Sequence, residues 1–474
     1  MTYEQARKFI EQTTKFGSIL GLTSMKALMQ ELGNVQNNVP MIHIAGTNGK
    51  GSVGAYLASI FKEAGLKVGR YCSPAVFHPL ECWQYDGRMI MEHEYADIMS
   101  QVKKACDIVI SKGIQPTVFE VETAAAFVYF SQMPTDIVLL ETGLGGETDA
   151  TNVIEHPLAC VFTNISRDHM QFLGETLTEI ATVKAGIIKA GAYVFSAKQK
   201  PEVEEVLMKF YTNANGANYS KNIQENECLS KRTSLESKNI YCIQGVFEKH
   251  CQTIQPIVVQ EEQLHLLSQK AGELEFSYKN KAYQTQLSGI YQMKNAALAI
   301  EVAENLLPIL LKKIEDTQNI IKKGIKKAIW SGRFEVIAKE PLFLIDGAHN
   351  EDAAYMLSQT LQNCFTKSSF VYIIGVLADK EHKKMLEIMQ FFSDKVYTIT
   401  PPNARGLDAK KLAEEASEFY KEVTACETIH QAVTEALLYA KEYEKHILAF
   451  GSLSYLSEMK TMVEEMLMIK ITDK

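Results

Sequence analysis

From Met41 to Ala45 the chain runs Met-Ile-His-Ile-Ala, the pattern of a buried strand, and from Val53 to Ala64 apolar residues return at helical spacing. The same alternation of strand and helix patterns continues along the chain. Residues 1 to 12 read as an amphipathic helix, and a second helix ends near Gly33. Lys67 to Tyr71 reads as a strand stopped by Cys72-Ser73-Pro74. Residues 75 to 95, with Pro79, Trp83, Tyr85 and Asp86-Gly87, read as a long loop carrying a hairpin turn, and a helix follows to about Lys112. Glu120 to Phe130 reads as a helix, Asp136 to Glu141 as a strand buried on both faces, Ala159 to Phe162 as another strand, and Leu177 to Lys189 as a helix. Strands alternating with helices predict a doubly wound α/β domain whose ligand sits at the carboxyl ends of the strands.

The pattern restarts at Leu342. Phe343-Leu344-Ile345-Asp346-Gly347-Ala348-His349-Asn350 reads as strand and turn, followed by a helix from about Asp352, a strand at Phe370 to Gly375 and a helix at Glu381 to Phe391. A strand at Lys395 to Ile399, a helix at Ala409 to Tyr420, and a closing helix, strand (His446 to Phe450) and helix complete it. This predicts a second, smaller α/β domain over 331–474 after a first over 1–330. Between about 202 and 287 the pattern is weakest. Polar stretches at Asn213 to Asn226 and Lys231 to Lys238, with short strands at Ile240 to Cys242 and Leu274 to Tyr278, suggest a peripheral β-rich segment of the first domain. No internal repeat is found.

Composition narrows the class. A chain of 474 residues with 46% hydrophobic content is long for one domain. A net charge of −8 argues against non-specific nucleic-acid binding and leaves room for an anionic substrate in a local basic pocket. Nine cysteines without a CxxC pair fit free thiols in a reducing compartment. The N-terminus reads as a charged amphipathic helix rather than a signal peptide, and no apolar run is long enough to span a membrane. A cytoplasmic monomer, with no nucleic-acid or membrane partner, is the expectation.

Candidate chemistry gathers where predicted strands end. Gly46-Thr47-Asn48-Gly49-Lys50-Gly51-Ser52 joins strand to helix. It reads as a phosphate cradle, with backbone N–H groups and a helix start facing the anion, Lys50 neutralising charge and the Ser52 hydroxyl facing a phosphate or its Mg²⁺. Ile44 stands where the strict Walker spacing needs a glycine, so an ordinary glycine-rich turn is the plainer alternative. Glu141 finishes a strand beside this loop, where a hard cation would want oxygen. His169 also follows a strand, either as a ligand or as a structural histidine. Lys184 lies among Ala185, Gly186, Ile187 and Ile188, either solvated like most helix lysines or partly buried and chemically altered.

In order along the chain, the phosphate-loop heptapeptide, Ser73-Pro74, Phe119-Glu120, Glu141-Thr142-Gly143-Leu144-Gly145-Gly146, Asp149-Ala150-Thr151-Asn152, Asp168-His169-Met170 and Lys184-Ala185-Gly186-Ile187 resemble the motifs of the folylpolyglutamate synthase and dihydrofolate synthase family of Mur ligases. Gln292 and Asn295, Ser331-Gly332-Arg333-Phe334-Glu335, Asp346-Gly347-Ala348-His349-Asn350, Gly375 to Lys380 and Gly451-Ser452-Leu453 continue the resemblance over nearly the whole chain.

The resemblance implies an ATP-dependent ligase of Mur-like fold that converts a folate-type carboxylate to an acyl phosphate, which the amine of L-glutamate then displaces. It implies that Thr47, Asn48, Gly49, Lys50, Gly51 and Ser52 hold the triphosphate, that Ser73, Glu141 and His169 bind Mg²⁺, and that a carbamylated Lys184 serves a second Mg²⁺. Asn295 would contact adenine, and Arg333, Asp346 and His349 would reach the nucleotide, with Arg333 closing over the transferring phosphate. Lys50, His169, Lys184 and Arg333 are thus the expected catalytic set, and Gly21, Leu22, Thr117, Phe119 and Thr148 the expected acceptor contacts. The chain departs from the family pattern at Ala75-Val76 after Ser73-Pro74, at the segment around Trp83, at Glu147 where an arginine is usual, at Val183 where a glutamate usually precedes Lys184, and at Arg167 where the residue is usually apolar. A ligase for another carboxylate, or a nucleotide-binding regulator without catalysis, therefore remains as an alternative.

Overall fold

The structure, a computed structural model, describes residues 1–13, 21–216, 255–311, 313–365 and 369–472. The chain folds as two compact units, one of residues 1–75, 80–262 and 294–328, the other of 76–79, 263–293 and 329–474.

The first unit is built on eight strands: β1 (Met41–Ala45), β2 (Val68–Tyr71), β3 (Trp83–Tyr85), β4 (Arg88–Met89), β5 (Ile137–Glu141), β6 (Ala159–Phe162), β7 (Tyr193–Ser196) and β8 (Ile257–Val258). Their order is β4-β3-β2-β5-β1-β6-β7-β8, parallel from β2 to β8, with the β3–β4 hairpin added antiparallel at one edge. After β5 the chain reverses the direction in which it adds strands, which opens a crevice at the carboxyl ends of β5, β1 and β6. All residues of β1, β5 and β6 are buried, as a strand covered on both faces requires.

Helices α1 (Tyr3–Thr13), α2 (Thr23–Glu31), α3 (Lys50–Glu63), α4 (Glu92–Ser111), α5 (Val118–Gln132), α6 (Met170–Leu173), α7 (Leu177–Ala185) and α8 (Pro201–Asn215) complete the unit. A core of Met25, Tyr71, Trp83, Met99, Phe127 and Leu140 joins α2, α4 and α5 to the sheet. A second, of Phe162, Ile180, Val194 and Val203, joins α7 and α8 to it. α5 is apolar nearly all round because α1, α2 and α4 pack outside it. Thr117 caps it in a box with Glu120.

The second unit carries β12 (Glu335–Lys339), β13 (Leu342–Ile345), β14 (Phe370–Ile374), β15 (Ser393–Thr398), β16 (Glu422–Ala425) and β17 (His446–Phe450) in the order β12-β13-β17-β14-β15-β16. All but β12 are parallel. Here the last strand, β17, inserts between β13 and β14. A separate antiparallel sheet, β9 (Leu264–Lys270), β10 (Glu273–Tyr278) and β11 (Lys281–Thr285), belongs to this unit.

Two expectations need correction. The segment from 202 to 287 does not go as a whole with the first domain: residues 263–293 belong to the second unit, where Asn363 Nδ2 donates to Gln269 Oε1 at 3.0 Å and Ala271 packs into the core of that unit. Nor does it start as irregular chain, since α8 opens it, with Pro201 in its first turn and Val203, Val206 and Leu207 buried. The polar stretches past residue 216 and the candidate strand at Ile240 to Cys242 lie outside the described residues. So does most of the Lys15 to Leu22 loop. Among the described residues no helix is long and apolar enough to cross a membrane, and Cys72, Cys82, Cys106, Cys160, Cys364 and Cys426 carry free thiols.

Candidate active site

The phosphate loop fills the crevice predicted by the strand order. Gly49 (φ 96) turns the chain left-handed just before α3, and a side chain there would also collide with Asn295 Oδ1, so only glycine fits. The loop is pinned to the end of β6: Thr47 N donates to Asn164 O at 2.8 Å, and the Thr47 hydroxyl donates to Ser166 O at 2.9 Å. Below it, buried Arg70 on β2 donates from Nη2 to Gly51 O at 2.7 Å and packs against Gly54. Sequence gave no sign of this support, because a lone arginine in a strand looks like a solvated edge residue.

Three charged side chains converge on the loop. Lys50 Nζ donates to Gly46 O at 3.2 Å and lies 3.9 Å from Glu141 Oε1, at the end of β5. Lys184, on α7 and only 4% exposed, donates from Nζ to the same Gly46 carbonyl at 2.9 Å. Burial, reinforced by the nearby Lys50 charge, lowers the Lys184 pKa to about 7, while Asp168 and Asp149 oppose the shift. A lysine in this setting is about half neutral near pH 7, and the neutral amine is the form that carbamylation needs. Lys184 is thus buried rather than solvated.

A polar chain beneath the loop that follows Glu141 ties that loop to the sheet. Asp149 Oδ2 accepts from Leu144 N at 2.7 Å, and Oδ1 accepts from Thr151 N and from the Thr151 hydroxyl. Since that hydroxyl gives its proton to Asp149, it accepts from His43 Nε2 at 2.8 Å. His43 is thereby a neutral Nε2–H tautomer, its Nδ1 unpartnered and its pKa driven down to about 3 by burial, with a smaller contribution from Lys189. Asn152 Nδ2 donates to Glu147 O at 2.9 Å and to Gly186 O at 3.2 Å, linking the same loop to the end of α7. Asp149 and Asn152 were visible as motif residues; His43, on the neighbouring strand β1, was not.

Of the expected acceptor contacts, Phe119 lies against Gly143 and 6.4 Å from the Tyr71 ring. Thr117 is buried as the α5 cap, while Thr148, Gly21 and Leu22 are half-buried. Ser73 follows β2, next to β5 and Glu141, whereas His169 is exposed in a left-handed backbone (φ 51), its ring nitrogen 3.9 Å from Asp168 Oδ1. Among the described residues no group of three or more His, Cys, Asp and Glu side chains is spaced to hold a metal. The donors at hand, the Glu141 carboxylate and the Ser73 hydroxyl, are hard oxygens, which fits Mg²⁺, an ion that takes one or two protein oxygens and the rest from phosphate and water.

In the second unit Arg333 sits between left-handed Gly332 (φ 73) and Phe334 (φ 49), its guanidinium over the Cα of Gly347. Asp346 is buried and its oxygens accept from Ala348 N (2.8 Å), Phe334 N (2.7 Å) and the Tyr291 hydroxyl (2.6 Å). Its carboxylate thus organises the turn. His349 donates from Nδ1 to Gly347 O at 2.8 Å.

A phosphate loop on a doubly wound sheet, with charged side chains gathered at its rim and a second parallel α/β unit, is the frame of an ATP-dependent Mur-type ligase. The Mur ligase middle domain matches residues 44–303, and the Mur ligase glutamate ligase domain matches residues 332–453. The chain belongs to the dihydrofolate synthase/folylpolyglutamate synthase family. It is 34% identical over 423 residues to the dihydrofolate synthase/folylpolyglutamate synthase of Bacillus subtilis, covering 88% of this chain and 89% of that one. It is 29% identical to the folylpolyglutamate synthase of Lacticaseibacillus casei, over 85% and 86% of the two chains. The solved structure of Mycobacterium tuberculosis folylpolyglutamate synthase complexed with ADP and AMPPCP superposes with a TM-score of 0.79 at 26% identity, over 97% of this chain and 98% of that one.

Proposed function

We propose that this ligase joins L-glutamate to the carboxylate of a pterin acceptor, dihydropteroate or a folate, through an acyl phosphate. The observation that carries the reading is the convergence of Lys50, Glu141 and Lys184 on the Gly46 end of the phosphate loop. Acyl phosphate formation is mostly positioning and charge neutralisation, and this cluster supplies both at the point where a γ-phosphate would lie. In this reading the loop from Thr47 to Ser52 orients the triphosphate, Lys50 neutralises it, and Asn295 and His349 contact the nucleotide. Arg333 clamps the transferring phosphate. Glu141 and Ser73, with His169 and a carbamylated Lys184, would hold Mg²⁺, which supplies charge neutralisation at the phosphate oxygens. Phe119, with Gly21, Leu22, Thr117 and Thr148, lines the acceptor pocket, and its ring offers a stacking face to a pterin. The same reading has the chain act as a monomer in the cytoplasm on small-molecule substrates, without nucleic acid or membrane; its negative charge and free thiols support that.

The test is phosphate release with MgATP and glutamate against dihydropteroate, tetrahydrofolate and no acceptor, with product masses recorded. A gain of one glutamyl unit on either pterin supports the reading and identifies the step. ATP binding without any gain assigns the altered loops around Ala75, Trp83 and Glu147 to a different carboxylate.

A further inference from the structure

The turn that presents Arg333 is held in a conformation its sequence does not favour. A phenylalanine with a φ of 49 brings its Cβ against the backbone, so Phe334 needs external support. Asp346 provides it: Oδ2 accepts from Phe334 N at 2.7 Å, Oδ1 from Ala348 N at 2.8 Å, and Gly347 N closes the turn onto Gly332 O at 2.9 Å. Glu335 braces the other side, accepting from Gly332 N at 2.7 Å while its second oxygen lies 2.7 Å from Lys460 Nζ. Asp346 is fully enclosed, and burial alone drives its carboxyl toward the neutral form. The Tyr291 hydroxyl, which donates to Oδ2 at 2.6 Å, is the first of the groups that oppose this, followed by the Arg333 charge and the two backbone amides.

We propose that Tyr291 is a positioning residue of the ligase reaction: its hydroxyl fixes the Asp346 carboxylate, which fixes the left-handed Phe334 backbone that carries Arg333. This rests on Arg333 as the phosphate clamp, and it adds a residue that reaches the reaction only through Asp346. Tyr291 lies 55 positions before Asp346, outside the sequence motifs that contain Arg333 and Asp346.

The test is Tyr291→Phe in the full chain, which removes one oxygen and leaves the ring. Losing a hydrogen bond to a carboxylate is expected to lower kcat about tenfold or more, with KM for acceptor and glutamate within twofold of wild type. The acid limb of kcat/KM for ATP is expected to move to higher pH, because Asp346 loses one of the groups that keep it ionised. A kcat within twofold of wild type, whatever the melting temperature, overturns the proposal. So does a fall in kcat with no movement of the acid limb, since a merely structural tyrosine would give that result. If no pterin acceptor is turned over by the wild type, the acceptor reading fails separately. Affinity for a non-hydrolysable ATP analogue then decides: a loss of threefold or more in Tyr291→Phe supports the role of the hydroxyl, and equal affinity overturns it.

Discussion

Lys184 Nζ donates to the carbonyl of Gly46 at 2.9 Å, across 138 positions of sequence. This bond places an amine with a pKa near 7 against the phosphate loop, beside Lys50 and within reach of Asp168 and Asp149. It ties Lys184 to the Gly46 end of the glycine-rich loop rather than leaving it on the helix surface.

Replacing Lys184 by alanine is expected to lower turnover by about 10²-fold or more, the scale seen when one preorganised electrostatic group is removed from a reaction centre. If the native side chain acts as its carbamate, added formate or acetate restores part of the lost rate by supplying the missing carboxylate. Initial-rate phosphate release measures both. Turnover within twofold of wild type would remove Lys184 from the mechanism.

Gly49→Ala places a side chain at φ 96 and against Asn295 Oδ1, so it combines backbone strain of about 1–2 kcal/mol with displacement of Asn295, the proposed adenine contact. Gly65→Ala is the control, because Gly65 is also left-handed (φ 85) but faces open space. Both variants are expected to melt below wild type, and only Gly49→Ala to lose ATP affinity by tenfold or more in a calorimetric titration. Equal ATP affinity in the two would mean that the loop tolerates a displaced Asn295.

Arg333→Ala is expected to keep the fold, since Arg333 is half-buried and the turn around it is held by Asp346 and Glu335. Its kcat should fall by about 10³-fold, the lower range for an arginine that stabilises a transferring phosphoryl group. Circular dichroism and steady-state rates separate the two effects. An unchanged kcat in a folded variant would exclude the clamp.

His43 gives a stability test with a defined sign. Its folded pKa, about 3, lies below the ordinary 6.5, so between these values the unfolded chain carries a proton that the folded chain does not. The His43 contribution to stability therefore falls as pH drops from 6.5 toward 3, by at most about 1.4 kcal/mol per pH unit. His43→Gln is expected to melt below wild type at pH 7, through the weakened bond to Thr151, and the gap should narrow toward pH 5. A gap independent of pH would show that the imidazole is not held neutral.

Much of this site was legible in sequence because its signals are local. The glycine-rich turn, the strand ending in Glu141 and the all-apolar strands follow from the pitch of helix and strand and from the backbone freedom of glycine, which a dozen residues suffice to display. The hairpin around Asp86-Gly87 was legible for the same reason, and both residues have the positive φ that such a turn needs. Helix α8 was missed because only three of its residues are buried, a weak stripe in a polar stretch.

By itself the sequence determined most of the segments that become strands and helices of two α/β sheets, and the glycine-rich turn between β1 and α3. Only the tertiary structure decided that the 263–293 strands join the second unit, that Lys184 is buried against Gly46 rather than solvated, and that His43, Thr151 and Asp149 form one chain of hydrogen bonds. It also decided that Asp346 spends its oxygens on Tyr291, Phe334 and Ala348. The division has one physical cause. Periodicity and turn chemistry depend on neighbours in sequence, whereas burial, pKa and hydrogen-bond partners depend on which distant strands the sheet order brings side by side.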